Sequence, residues 1–151
     1  MNQKTMRRQE GVNLIELMIV VAIVSIIAAV AYPAYTRYVA DARRADCTGG
    51  LAGLANAMER HYSINGSYLS AAAAGANTGA PAVFGTACPI DGGTANYNLT
   101  ISAATASTYT VQAAPTGPQA GDRCGTLTLT NTGVKGVTGA AAGNDWQACW
   151  R

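Results

Sequence analysis

Charge and histidine are both scarce in this chain, and each shortage narrows what it can do. Only 12% of its 151 residues are charged, and the formal net charge is +2. Nothing in that balance makes a polybasic surface for nucleic acid. The single histidine, His61, sits beside Glu59 and Arg60, so no Ser/His/Asp set can be assembled around it. It reads as helix surface. No C-x-x-C pair occurs among Cys47, Cys88, Cys124 and Cys149, so zinc-ligand spacing is absent. The glycines lack the strand-to-helix context of a phosphate-binding loop. We therefore expect no catalytic residue, no metal and no cofactor, and the chain does not read as an enzyme.

What the sequence does have is one long apolar run. From Leu17 to Thr36 there are 20 residues without a charge, with Ser25 the main polar interruption. At about 1.5 Å per residue, a helix of that length matches a hydrocarbon core of about 30 Å. A transmembrane helix is the direct reading. Lys4, Arg7 and Arg8 precede it, which keeps the N-terminus cytoplasmic and sends the rest across. A cleaved secretory signal is the rival, with Ala29-Val30-Ala31 as its small-x-small site. The run is longer than such signals use, and Glu16 interrupts its front.

Glu16 is the anomaly. A carboxylate at mid-bilayer costs roughly 2.5–3.5 kcal/mol on insertion scales, less near the interface. No cationic side chain follows within the run. Were the chain cut after Gly11, a new amine would appear at Val12, about 6 Å of helix from Glu16. That amine could pair within the chain or with Glu16 of an adjacent chain.

The stretch "EGVNLIELMIVVAIVSIIAAVAYPAY" resembles the N-terminus of a type IV prepilin. The likeness includes a short basic leader, Gly11 at the cleavage point, Glu16 five places into the mature chain, and Pro33 followed by Ala34-Tyr35. It implies removal of residues 1–11 by prepilin peptidase and N-methylation of Val12, with the helix left intact. Val12 stands where the family usually has Phe, and Asn13 where Thr is common. Cleavage would leave equal numbers of positive and negative side chains. The implied organisation is a leader (1–11), a transmembrane and assembly helix (12–36), and a globular head (37–151).

Beyond the run, Pro33 removes one backbone hydrogen bond and is expected to kink the helix. Leu51, Leu54, Ala55, Met58 and Tyr62 then form one apolar stripe, while Arg37, Asp41, Arg43, Arg44, Asp46, Glu59 and Arg60 supply charged positions. Gly49, Gly50 and Gly53 weaken this stretch or allow close packing. Asn65-Gly66 is a stop signal. The helix is predicted from about Leu14 to about Ile64. Residues 66–95 are rich in Gly and Ala and form a long loop.

Strand alternation begins at Tyr97, Leu99 and Ile101 and recurs at Tyr109, Val111 and Ala113, joined by "AATA". Leu127 and Leu129, a turn at Asn131-Thr132-Gly133, then Val134 and Val137 give a second hairpin. The predicted fold is α+β: a long kinked N-terminal helix, transmembrane in its first half, packed on a four-stranded antiparallel sheet.

The tail adds to the resemblance. "CGTLTLTNTGVKG" followed by "WQACW" is similar to the C-terminal region of many type IV pilins, where two cysteines close a surface loop. An even cysteine count behind a membrane-directed segment suits an oxidising compartment, and four cysteines allow three pairings. We expect Cys124–Cys149, which would pin the C-terminus to the sheet and contribute roughly 3–4 kcal/mol. Cys47 shares the apolar stripe and Cys88 lies in the crossing loop, so Cys47–Cys88 is the other expected bridge. Trp146 and Trp150 flank Cys149 as packing around it or as an exposed tip. Asn65-Gly66-Ser67 and Asn98-Leu99-Thr100 match glycosylation sequons by chance.

The resemblance implies a structural subunit that polymerises into a surface fibre. Expected partners are itself or other pilins in a mixed fibre, prepilin peptidase, the pilus assembly machinery and the membrane. Before assembly it would sit in a bacterial inner membrane, single-pass, with its head in the periplasm; afterwards it would be extracellular. The fibre would serve adhesion and twitching motility, with DNA uptake a further role. Two alternatives are a type II secretion pseudopilin and a minor pilin that binds DNA through Arg123, Lys135 and Arg151.

Overall fold

From Leu14 to Ala31 only Glu16 and Ser25 interrupt an apolar sequence, and the helix it builds is the first element described. The computed structural model describes residues 13–150. Gly11 and Val12, the expected cleavage and methylation positions, lie outside the described residues, as does Arg151. Helix α1 spans Leu14–Asn65. The chain divides into two units, one ending at Tyr38 and the other beginning at Val39.

In the first unit every side chain from Leu14 to Tyr38 is exposed. The backbone satisfies itself as a helix. The hydroxyl of Ser25 donates to the Val21 carbonyl (2.7 Å), and that of Thr36 donates to the Pro33 carbonyl (3.1 Å). Both aliphatic hydroxyls in the run thus find partners on their own helix, as suits a lipid environment. Helical assignment continues on both sides of Pro33.

In the second unit the rest of α1 lies against an antiparallel sheet. Its buried positions are Arg44, Cys47, Gly50, Leu51, Leu54, Ala57 and Met58, one face at helical spacing. The strands are β1 (Ala87–Cys88), β2 (Tyr97–Ala104), β3 (Tyr109–Pro115), β4 (Thr126–Thr130) and β5 (Lys135–Thr138), in that spatial order. A short helix, α2 (Trp146–Cys149), follows, capped by the Asp145 side chain accepting from the Ala148 amide.

Cross-strand register assembles the core in rows. Leu99, Ala113, Leu127 and Val137 form one row; Ile101, Val111, Leu129 and Lys135 form the next. The apolar members of these rows join the core with α1, and all but Val137 and Lys135 are buried. The opposite face carries Thr100, Gln112, Thr128 and Gly136 in register, without a charge. A bulge at Ser102 shifts β2 by one residue, after which Ala104 meets Tyr109.

The sheet has five strands where four were expected. The addition is β1, which pairs through Ala87 with Asn98 and through Cys88 with Tyr97. Two residues are too few for alternation to be read, so this strand had no signature. Strand β5 also starts one residue later than the pattern implied, leaving Val134 exposed. The end of α1 agrees closely with expectation. Gly66 takes a φ of 67° and donates to the Tyr62 carbonyl (2.7 Å), a left-handed close that glycine adopts readily.

Gly50 and Gly53 serve close packing. A Cβ at Gly53 would lie 2.6 Å from the Phe84 ring, and one at Gly50 would lie 2.9 Å from Cys88 Sγ. Their bare surface lets the 84–88 segment lie on the helix.

Candidate assembly and recognition sites

Glu16 stands in the first turn of α1, where its amide donates to the Asn13 carbonyl (3.0 Å). Its side chain is exposed among Leu14, Ile15, Leu17 and Met18, and it has no salt-bridge partner among the described residues. A carboxylate at the front of a bare apolar helix is costly to bury in an apolar setting without a cation.

The head holds a buried polar centre that the sequence pattern did not single out. Arg44 is only 4% exposed. Its Nε donates to Asp122 Oδ2 (2.9 Å) and its Nη1 to Asp41 Oδ1 (2.8 Å), while Nη2 also grips Asp122. The Tyr97 hydroxyl donates to the same Asp122 carboxylate, as does the Cys124 amide (3.3 Å). Arg123 reaches Asp41 from outside (3.2 Å). Gln119, also buried, donates from Nε2 to the Ala40 carbonyl (3.0 Å).

The electrostatics follow from those contacts. The hydrogen bond to Asp122 raises the Arg44 pKa against the opposing effect of burial, so this guanidinium stays charged. Burial pushes the Asp122 carboxyl up, but hydrogen bonds from Arg44, Tyr97 and the Cys124 amide prevail and hold it below its ordinary value. Burial, then the bond to Asp122, drives the Tyr97 phenol well above its usual range. A second polar contact lies at the far end of the helix, where the Tyr68 hydroxyl meets Glu59 (3.0 and 3.1 Å). Tyr68 also stacks on Tyr62 and meets Tyr109 edge-on.

The signal for Arg44 was present but easy to misread. Positions 44, 47, 51, 54 and 58 alternate in steps of three and four, so Arg44 continues the apolar stripe. Its charge placed it with the surface residues instead. Asp122 carries no such mark beyond standing two residues before Cys124.

Cys47 is bonded to Cys88, and Cys124 to Cys149. All four are buried, and there is no free cysteine. His61 is half-buried; its Nε2–H donates to the Leu69 carbonyl (2.9 Å) and its Nδ1 faces the Asn65 amide (3.2 Å). Trp150 packs inward and donates to the Gly136 carbonyl (3.0 Å), with Lys135 Nζ 5.3 Å from its ring. Trp146 is more open, at 46% exposed. Arg123 and Lys135 are both exposed, but Arg123 is shared with Asp41. No group of three or more potential metal ligands occurs among the described residues.

A family model described as "Type IV minor pilin ComP, DNA uptake sequence receptor" matches residues 33–128. The chain belongs to this family. A second match, the prokaryotic N-terminal methylation motif, covers residues 6–32 of this minor pilin. Two solved structures are similar to it. One is the non-core minor pilin PilV of Neisseria meningitidis, at 20% identity and a TM-score of 0.48, covering 68% of this chain and 90% of that one. The other is a type IV pilin from Shewanella oneidensis, at 28% identity and a TM-score of 0.45, covering 74% and 98%. No curated protein matches.

The pilin is thus a type IV pilus subunit, with a long apolar helix and an antiparallel sheet. Pilins are structural proteins that assemble with other pilins. The methylation motif and the apolar helix suit membrane anchoring before entry into an extracellular pilus.

Proposed function

We propose that this minor pilin enters a type IV pilus by exchanging lipid around α1 for neighbouring helices, with Glu16 setting register. One observation carries the reading: the first part of α1 is exposed throughout, without a charge from Leu17 to Thr36, and has a single carboxylate at its front. Prepilin peptidase removes the short leader after Gly11 on the cytoplasmic side of the inner membrane, and the new Val12 amine is methylated. The head waits in the periplasm. In the fibre, the Val12 amine of one subunit pairs with Glu16 of another, because leaving either charge alone in an apolar setting is costly. Hydrophobic packing supplies the attraction; the ion pair selects one alignment. The loop closed by Cys124–Cys149 and the Gly/Ala-rich loop form outer surface. Through the fibre, the subunit contributes to adhesion and twitching motility. The test is Glu16→Ala: the variant stays in the membrane and is missing from sheared fibres. Normal incorporation would remove the register role. Labelling intact cells distinguishes a surface pilin from a periplasmic pseudopilin.

A second reading concerns the head. The matched family is described as a DNA uptake sequence receptor, and we infer that this head contacts DNA during uptake. Few cations are available for it: Arg123, Lys135 and Arg151 remain the candidates. Binding carried by so few contacts has a shallow salt dependence, with a slope near −0.9 per phosphate neutralised. Substituting Lys135 by Ala in the full chain in detergent should lower that slope by about one. An unchanged slope would remove Lys135 from the contact.

A further inference from the structure

The tyrosines are unevenly placed along α1. Of the chain's 7, Tyr32, Tyr35 and Tyr38 cluster at the end of the apolar run, and residues 14–31 contain no aromatic side chain. A spacing of three turns successive rings by about 60°, so the three share one side of the helix. They are 72%, 67% and 73% exposed, and their hydroxyls make no hydrogen bond among the described residues. Packing within the chain does not account for them. The first charge after Glu16 is Arg37, in the same turn as two of them. Rings with an apolar body and a polar tip concentrate where hydrocarbon meets headgroups, and a neighbouring arginine can reach phosphate.

Axial distance gives the placement a meaning. Tyr35 follows Glu16 by about 28 Å of helix at 1.5 Å per residue. The hydrocarbon core is about 30 Å thick. The geometry points to the Tyr32/Tyr35/Tyr38 face as a lipid-interface anchor that sets the depth of the membrane-resident pilin. With those rings in one headgroup layer, the Glu16 carboxylate stands at the opposite boundary, hydrated, rather than within hydrocarbon. Its charge is buried only when the helix leaves the bilayer for the fibre, where a neighbour's amine is at hand. This rests on the reading of α1 as a membrane span and of Glu16 as the assembly group.

The test uses the full chain in phosphatidylcholine vesicles, with a water-soluble maleimide on both sides. The native cysteines are paired and leave a single introduced cysteine as the target. Leu17→Cys and Thr36→Cys should react at least about tenfold faster than Val24→Cys, because only the last lies mid-core. Changing Tyr32, Tyr35 and Tyr38 together to Ala should slow Leu17→Cys labelling about fivefold, as the apolar residues 14–31 recentre in the bilayer. Trp at all three positions should restore it. Equal protection of Leu17→Cys and Val24→Cys would overturn the proposal, as would labelling indifferent to the tyrosines. Labelling reads depth in lipid alone. A Glu16→Ala pilin that formed normal fibres would remove the assembly role while leaving the labelling pattern intact, so the two failures are distinguishable.

Discussion

Arg44 illustrates how one residue can change class without changing sequence context. It lies on the apolar stripe of α1 and is buried there because Asp122, Tyr97 and Asp41 receive it. Charge alone assigns it to the surface; spacing alone assigns it to the core. Only the partner from a distant loop reconciles the two, and that partner is not visible along the chain. Removing it should be severe. Arg44→Met leaves a buried carboxylate without its cation and should destabilise the head by about 3–5 kcal/mol. Adding Asp122→Asn to that variant should recover part of the loss, read by urea denaturation followed through tryptophan fluorescence. The pH dependence follows from the direction of the Asp122 shift. Because its folded pKa lies below the unfolded one, its contribution is complete above the ordinary carboxylate range. It fades as pH falls through that range and on through the folded pKa. Stability of Asp122→Asn should be flatter across the same acid window.

Elements were legible in proportion to their length and period. Helix α1 has a stripe, a stop signal and many residues, and its observed end lies one residue beyond expectation. Strands β2, β3 and β4 alternate cleanly along their lengths. Strand β1 has two residues and no period, and exists because Cys88 is bonded to Cys47 while pairing with Tyr97. The glycines of α1 could be read from sequence as flexible or as closely packed, and Phe84 decides for packing. Gly53→Ala gains up to about 1 kcal/mol of helix propensity but forces Phe84 aside, an overpacking that typically costs about 1–3 kcal/mol. A net loss is expected in thermal denaturation, and Phe84→Leu in the same chain should relieve it. At the other end, replacing Cys124 and Cys149 by Ser should lower stability by roughly 3–4 kcal/mol. The same change should release α2, which quenching of Trp150 fluorescence would register.

At the scale of the whole molecule, the chain divides between an almost uncharged first part of α1 and a head with few charges. The helix announced itself in sequence because membranes and fibre cores both demand uninterrupted apolar length. The DNA contact proposed for the head did not, because few side chains would carry it and no repeated pattern marks them. Fibre entry and head stability should therefore separate genetically. Glu16→Ala should abolish incorporation while leaving the urea midpoint of the head unchanged, and Arg44→Met should lower that midpoint while leaving membrane residence intact. Fractionation and denaturation of the same preparations would check both.

The junction at residues 122–124 also has a mechanical meaning. Asp122 is tied to the helix through Arg44, and Cys124, two residues on, is tied covalently to Cys149. Tension applied near the C-terminus therefore has a route to the helix across two peptide units and one ion pair, beside the route through the strands. Under a pulling load, Arg44 and Asp122 would take a share of the strain that the sheet alone would otherwise bear.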